Sequence, residues 1–357
     1  MKTYIKFLTN IFLKSFFYII LTIISLVFII NFLAELEFFK NINTHIFFTI
    51  YLALINSPSM VFEIFPFILL LSTQLFYIKL FTNNEIQIFK YSGLKNSKII
   101  LIISLFSFFI GILIITMFYN VSSNLKNIYL EIKNKYTVDD KYLAVITNNG
   151  LWIKDTIEDK TNIIHATKMN GNHLINTTIT QLNKEYDVVK HIQSEKINII
   201  KKNWIAHNVV IYEGNEGIKK DFFNFFSNFD YQRIQGLFSN LSSLSLFELF
   251  NLKENYLMLN YSTTEVNLQI QKIISYPIYL SLMTILSAII MFNTKSLKSI
   301  TIKISIGLFL SVLIYYFNNF FHVMGKTEKF SIFFAIWIPM LFLLFINTIL
   351  IYRINAK

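Results

Sequence analysis

Side chains able to do chemistry are sparse in this sequence. Gly325-Lys326-Thr327 ends like a phosphate-binding loop, but that motif needs a glycine five residues before Gly325, where Phe320 stands. The histidines, His45, His165, His173, His191, His207 and His322, fall at no metal-ligand spacing such as His-Glu-x-x-His. Cysteine is absent, which excludes disulfides, thiolate metal sites and a thiol nucleophile. No Gly-x-Ser-x-Gly elbow occurs. Glu63 is the acidic residue set well inside an apolar stretch, and its expected role is to snorkel or meet a neighbouring helix rather than relay protons. An intramembrane lipid-modifying enzyme would need carboxylates or histidines at a membrane interface. Only Glu63 and His322 are near one, on separate stretches.

The densest motif is Phe81–Gly93 (FTNNEIQIFKYSG). Thr82-x-x-Glu85 is a capping box: the Thr82 hydroxyl can accept the Glu85 amide while the Glu85 carboxylate reaches back to the Thr82 amide. Phe81 and Ile86 occupy staple positions, and Gly93 can adopt the left-handed conformation that ends a helix. The spacing predicts a helix of about ten residues with Ile86 and Phe89 on one face. Two readings stay open from these residues: a surface helix that Glu85 merely caps, or a preformed helix that docks in another protein's groove.

The elements around these residues are apolar. Of 357 residues, 54% are hydrophobic and 38 are Phe, yet the net charge is +11. A soluble core could not hide so much apolar surface. Spanning helices of about 20 residues are expected at Phe16–Leu36, Ile99–Tyr119, Ile273–Phe292, Ile304–His322 and Phe330–Tyr352. The first is too long for a cleaved signal peptide. Ile42–Ile78 holds Pro58 and Pro66 and reads either as two spans or as an interfacial helix (Asn43–Asn56) followed by one span (Pro58–Ile78). Lys79, Lys90, Lys95 and Lys98 mark the following loop as cytoplasmic, like the N-terminus. Parity then selects the interfacial helix, giving six spans with both termini cytoplasmic.

Asn120–Val266, between spans 3 and 4, is polar and carries 16 basic and 16 acidic residues. Alternating runs at Leu151–Lys154, Asn162–Thr167, Leu174–Thr180, Tyr186–Ile192, Ile197–Lys201 and Trp204–Tyr212 predict an antiparallel sandwich or barrel on the outer side. Asn148-Asn149-Gly150 and Asn170-Gly171-Asn172 read as turns, and Ser245–Glu254 as a returning helix.

Asn84-Glu85-Ile86 followed by Tyr91-Ser92-Gly93-Leu94 resembles the coupling-helix motif of the LptF/LptG permeases, which export lipopolysaccharide. Ser57-Pro58, Ile64-Phe65-Pro66, Gly150-Leu151-Trp152-Ile153-Lys154-Asp155, Leu246–Glu254 and Thr263–Pro277 are similar to that family's remaining landmarks, in order across the whole chain. The second-span entry and the Leu-Trp-Ile-Lys-Asp stretch look more like the LptG branch than the LptF branch.

The resemblance implies a multi-pass α-helical protein of the bacterial inner membrane. Residues 1–119 would hold spans 1–3 with a coupling helix at 82–93, 120–266 a periplasmic β-jellyroll and return helix, and 267–357 spans 4–6. It implies a non-catalytic permease subunit that binds no cofactor, paired with a paralogous LptF-like permease. Two LptB-like ATPase subunits would use ATP and Mg²⁺, and a single-span LptC-like protein would lead to a periplasmic bridge. The coupling residues would be Asn84, Glu85, Ile86, Phe89, Lys90 and Gly93. Spans 1, 2 and 5 would line the lipopolysaccharide cavity, with Phe32, Lys40, Phe67, Leu71, Tyr316, Phe317 and Phe320 as candidates. Family members often carry basic residues near the outer end of span 1; here Asn31, Glu35 and Glu37 stand there, with Lys40 beyond.

The charge excess is thereby located. The polar stretch is neutral, so the +11 lies wholly in the membrane half, where 12 basic residues fall in segments expected to be cytoplasmic and Glu85 is their sole acidic companion. The excess reads as a topology signal, not a nucleic-acid footprint.

Overall fold

The computed structural model describes residues 3–40, 42, 44–136, 150–157, 160–213, 216–231, 234, 240–258, 261–297 and 299–356. Lys2, Asn43, Asn148, Asn149, Lys298 and Lys357 lie outside them. The chain forms two compact units.

The first unit holds six helices long and apolar enough to cross a membrane. They are α1 (Thr3–Phe38), α2 (Ile46–Thr82), α4 (Asn96–Leu113) with its continuation, α7 (Thr264–Asn293), α8 (Ile300–Lys326) and α9 (Ile332–Ala356). The short α3 (Glu85–Tyr91) links α2 to α4. α4 runs through a wider π-helical turn (Ile114–Tyr119) into α5 (Asn120–Asn134), so the third helix extends past its expected end at Tyr119.

Ile46–Thr82 is one unbroken helix rather than an interfacial helix followed by a span. Pro58 and Pro66 each remove a helical N–H, which normally breaks a helix. At Pro66 a polar group of a neighbouring helix supplies the replacement bond. The Tyr276 hydroxyl donates to the Phe62 carbonyl, the acceptor that Pro66 leaves open. Beside Pro58 the Ser57 and Ser59 hydroxyls make ordinary back-bonds to the Ala53 and Asn56 carbonyls, at 2.6 and 2.9 Å, and not to the Leu54 carbonyl that Pro58 leaves open. The stretch thus supplies one of six helices able to span a membrane.

α2 and α7 are central, with most of each apolar window buried, whereas α1 and α8 bury few of their residues. Leu70 of α2, Met283, Leu286 and Ile290 of α7 and Ala335, Ile336 and Leu343 of α9 form one core cluster. Without a hydrophobic drive between helices in lipid, small polar side chains fix their pairing. Ser104 and Ser281 bond at 2.8 Å, Ser287 Oγ donates to the Leu70 carbonyl at 2.7 Å, and Gln74 Nε2 to that of Lys303 at 3.0 Å.

The second unit holds most of α6 (Leu246–Met258), where a returning helix is expected at Ser245–Glu254, and the strands β1 (Leu151–Ile157), β2 (Lys160–Asn170), β3 (His173–Leu182), β4 (Val188–Asn198), β5 (Asn203–Glu213) and β6 (Glu216–Phe226). They form one antiparallel sheet in sequence order, a meander. β4 takes in Val188–Ile192 of the expected run Tyr186–Ile192 but only Ile197 and Asn198 of the next, Ile197–Lys201. β6 (EGIKKDFFNFF) escapes the alternation rule because it is an edge strand with most residues exposed.

Burial alternates along the strands but slips phase at one line across the sheet. Leu174 and Thr177, Ser194 and Ile197, and Ala206 and Val209 are buried at odd separations. Between them Asn176 and Asn208 take left-handed backbone, at φ 45° and 51°, and drop out of the ladder. In β4 the residue that drops out of the ladder is Glu195, between the expected runs Tyr186–Ile192 and Ile197–Lys201.

Beyond β6, the Ser227 hydroxyl donates to Asp155 Oδ2 on β1 at 2.8 Å, and the Asn228 side chain donates to Asp155 Oδ1 at 2.9 Å. Strands β1 and β6 of a flat sheet would lie about 24 Å apart. The sheet therefore curls until its two edges meet at the buried Asp155, which is how a single meander encloses a core.

Candidate functional site

α3 departs from its expected cap. The Thr82 hydroxyl bonds back to the Ile78 and Lys79 carbonyls at 3.0 and 3.1 Å, so no capping box forms. α2 runs on to Thr82, which leaves that hydroxyl on the last turn of the preceding helix. The cap position is instead Asn84, in left-handed conformation at φ 57°, a geometry asparagine tolerates. Asn83 Nδ2 donates to Glu85 Oε1 at 3.3 Å, while Glu85 Oε2 is buried without a partner. The C-terminal end matches expectation. Gly93 has φ 77°, its amide bonds to the Lys90 carbonyl at 3.0 Å, and the Leu94 amide reaches the Phe89 carbonyl at 2.9 Å.

The helix is seven residues long, and its inward face carries the pair expected to dock outward. Ile86 is buried, and Phe89 packs edge-on against Phe7 of α1 at 6.1 Å. The protruding apolar residues are Ile88, 60% exposed, and Tyr91, 89% exposed. A period of 3.6 places Ile86 and Phe89 together, but which face meets the bundle depends on how α3 leaves α2, which no local signal encodes. Lys90 is exposed beside them.

At the other end of the bundle, Asn31 and Glu35 of α1 turn inward. Asn31 Nδ2 donates to Ser57 Oγ at 3.1 Å, and Asn31 Oδ1 accepts from Asn56 Nδ2 at 3.3 Å. Lys126 Nζ reaches Asn56 Oδ1 at 3.0 Å, and the Tyr129 hydroxyl donates to Glu35 Oε1 at 2.6 Å. This buried network ties α1, α2 and α5 together. The polar residues of span 1 thus serve packing, which satisfies groups that would be costly in hydrocarbon.

The cavity candidates do not converge. Phe67 lines a cavity of about 360 Å³ with Phe62, Glu63, Lys272, Tyr276, Tyr279, Tyr315, Asn318 and His322. Tyr316 and Phe320 point away from the chain's own core, being 65% and 53% exposed. Phe317 packs on Phe321 and Phe342 at 5.0 and 5.2 Å. Phe32 stacks on Phe28 at 6.1 Å, Leu71 is half-buried, and Lys40 is exposed. Glu63 and His322 stand on separate stretches of the sequence, and the packing of α2 against α8 brings both to the lining of one cavity.

The phosphate-loop lookalike is a helix end. A Cβ at Gly325 would lie 2.6 Å from that of Ala335, so glycine is there for close approach of α8 to α9. Lys326 pairs with Glu265 at 3.0 Å.

With this geometry in place, the comparison with known families is decisive. The family model described as lipopolysaccharide export system permease LptF/LptG matches residues 6–353. The chain belongs to the LptF/LptG permease family. No curated protein matches it. The family model covers both units, so the six apolar helices and the six-stranded antiparallel sheet inserted between the third and fourth of them belong to an LptF/LptG protein. Among the described residues no group of His, Asp or Glu is arranged to hold a metal ion.

Proposed function

We propose that this chain is the LptG-like permease subunit of an inner-membrane transporter that extracts lipopolysaccharide and passes it to a periplasmic bridge. The observation that carries the coupling half of this reading is α3. It is a short helix between two candidate spans, closed at Gly93, that presents Ile88 and Tyr91 outward beside Glu85, at the bundle end where Lys79, Lys90, Lys95 and Lys98 gather. Basic loops face the cytoplasm, so α3 stands where a separate ATPase using ATP and Mg²⁺ would grip it. The ATPase would be present in two copies.

α1 and α8 are the helices that bury the least within the chain, as expected of surfaces shared with a paralogous permease, a single-span partner and lipid. Tyr316 and Phe320 on α8 would then meet acyl chains in the cavity between the two permeases. Burial of acyl chains gives about 0.8 kcal/mol per CH₂, so release of several chains needs work, which ATP hydrolysis supplies. The curled meander is the element that would receive or brace the lipid outside the membrane.

The test is Glu85→Lys in the assembled complex. The variant should insert and assemble normally while lipopolysaccharide-stimulated ATP hydrolysis is lost. Normal stimulation removes the coupling role. A chain that leaves mild detergent alone, with no ATPase, favours a membrane-anchored lipid-binding protein instead.

A further inference from the structure

The cavity holding Phe67 is also lined by two opposite charges, Glu63 of α2 and Lys272 of α7, neither of them salt-bridged among the described residues. Tyr276, Tyr279 and Tyr315 line the same space, as do Asn318 and His322. Phe67 and Tyr315 stand 6.1 Å apart between centroids.

Contacts of Phe62 with Tyr276 and of Phe81 with Phe292 show that α2 and α7 run parallel. Counted from the α3 end at 1.5 Å per residue, Glu63 lies about 28 Å up α2. Lys272 lies about 32 Å up α7, and His322 about 33 Å up α8. A hydrocarbon layer is about 30 Å thick. The three charged or titratable groups therefore share the level at which the far leaflet's acyl chains end and its headgroups begin.

A simple anion in this cavity would be repelled by Glu63, and a simple cation by Lys272. A headgroup bearing both charges a few bonds apart meets neither penalty. Its phosphate would take hydrogen bonds from the Lys272 ammonium, the Asn318 amide and the His322 ring. Its primary ammonium would pair with the Glu63 carboxylate against the faces of the tyrosine rings, which attract cations. We infer that the cavity between α2, α7 and α8 binds a phosphoethanolamine group, through Lys272 and His322 on its phosphate and Glu63 on its ammonium. The group can be carried by a bilayer phospholipid or by a glycolipid decorated with it. The inference needs only a membrane-spanning chain and stands apart from ATPase coupling.

Native mass spectrometry of the full chain, released from nanodiscs of mixed phosphatidylethanolamine and phosphatidylglycerol, reads the retained lipids. At equal mole fractions the ethanolamine lipid should be retained about tenfold over the glycerol lipid. Glu63→Gln should abolish that preference and leave phosphatidylglycerol retention unchanged, and Lys272→Gln should weaken retention of both. Soluble phosphoethanolamine should displace the retained lipid from wild-type protein where inorganic phosphate does not. This arm stands even if a variant fails to insert. A parallel arm compares lipopolysaccharide with and without phosphoethanolamine, and preference following the group on either carrier supports the site. Equal retention on both carriers, or an undiminished preference in Glu63→Gln, overturns it.

Discussion

The Tyr276 hydroxyl donates to the Phe62 carbonyl oxygen, the acceptor that Pro66 deprives of its helical N–H. The phenol on α7 thus repairs the defect in α2, and its ring stacks on Phe62 at 4.8 Å. Tyr276→Phe keeps the stacking and removes only the donor. It should cost about 1–3 kcal/mol, because a buried carbonyl is left unsatisfied. In a Pro66→Ala background the helix supplies its own N–H, and the same substitution should cost little. Thermal unfolding in detergent for the four proteins of this cycle measures the coupling; equal costs in both backgrounds would refute the repair.

Asp155 offers a second check. Its carboxylate accepts from Ser227 Oγ, the Asn228 amide and the Asn228 side chain, at 2.8, 3.0 and 2.9 Å. Asp155→Ala strands these donors and opens the seam where the sheet closes. Hydrogen exchange on the full chain should then quicken in both 151–157 and 227–229, with a local cost of about 2–3 kcal/mol. Exchange that changes only in β1 would show that the two edges are not joined through this residue.

Much of this architecture is legible in the residues because hydropathy and basic loops are local signals that hydrocarbon enforces. What is not legible comes from contacts between distant segments. Pro58 and Pro66 argue for a break in α2, and at Pro66 it is Tyr276, 214 positions from Phe62, that repairs the defect. Thr82-x-x-Glu85 spells a capping box, yet α2 extends far enough to take Thr82 into its own last turn. The phase of burial shifts where Asn176, Glu195 and Asn208 drop out of the ladder, and in β4 alternation then shows two runs instead of one. Glu63 and His322 come to line one cavity only once α2 packs against α8.

His173 makes the second unit sensitive to pH. Desolvation, then the charge of Lys196 and the nearby His207, hold its pKa below the usual 6.5. Glu195 lines the same shallow pocket. A histidine with a lowered folded pKa binds fewer protons folded than unfolded, so stability rises with pH through this range. Acidification from pH 7.5 to below 6.5 should therefore destabilise the sheet progressively, down to the folded pKa. His173→Gln should flatten that slope in thermal unfolding at several pH values, and an unchanged slope would exclude His173 as the source.

The inversion of α3 separates docking from packing. Ile86 is buried beneath the helix, so Ile86→Ala should destabilise the chain by about 2–4 kcal/mol, the usual cost of emptying a core position. Ile88 and Tyr91 touch little within the chain, at 60% and 89% exposed. Ile88→Asp and Tyr91→Ala should leave its melting temperature within about a degree. If α3 seats in an ATPase groove, these two outward residues are its anchors. Each should then weaken ATPase retention by about tenfold or more, since an exposed aromatic or aliphatic anchor commonly contributes over 1.4 kcal/mol once buried by a partner. Co-purification of the ATPase through this chain, alongside melting curves for the same variants, separates the two roles. Loss of the partner in Ile88→Asp with an unshifted melt supports docking through the outward face. Retention in both outward variants would mean that α3 contacts its motor through Glu85 and Lys90 alone.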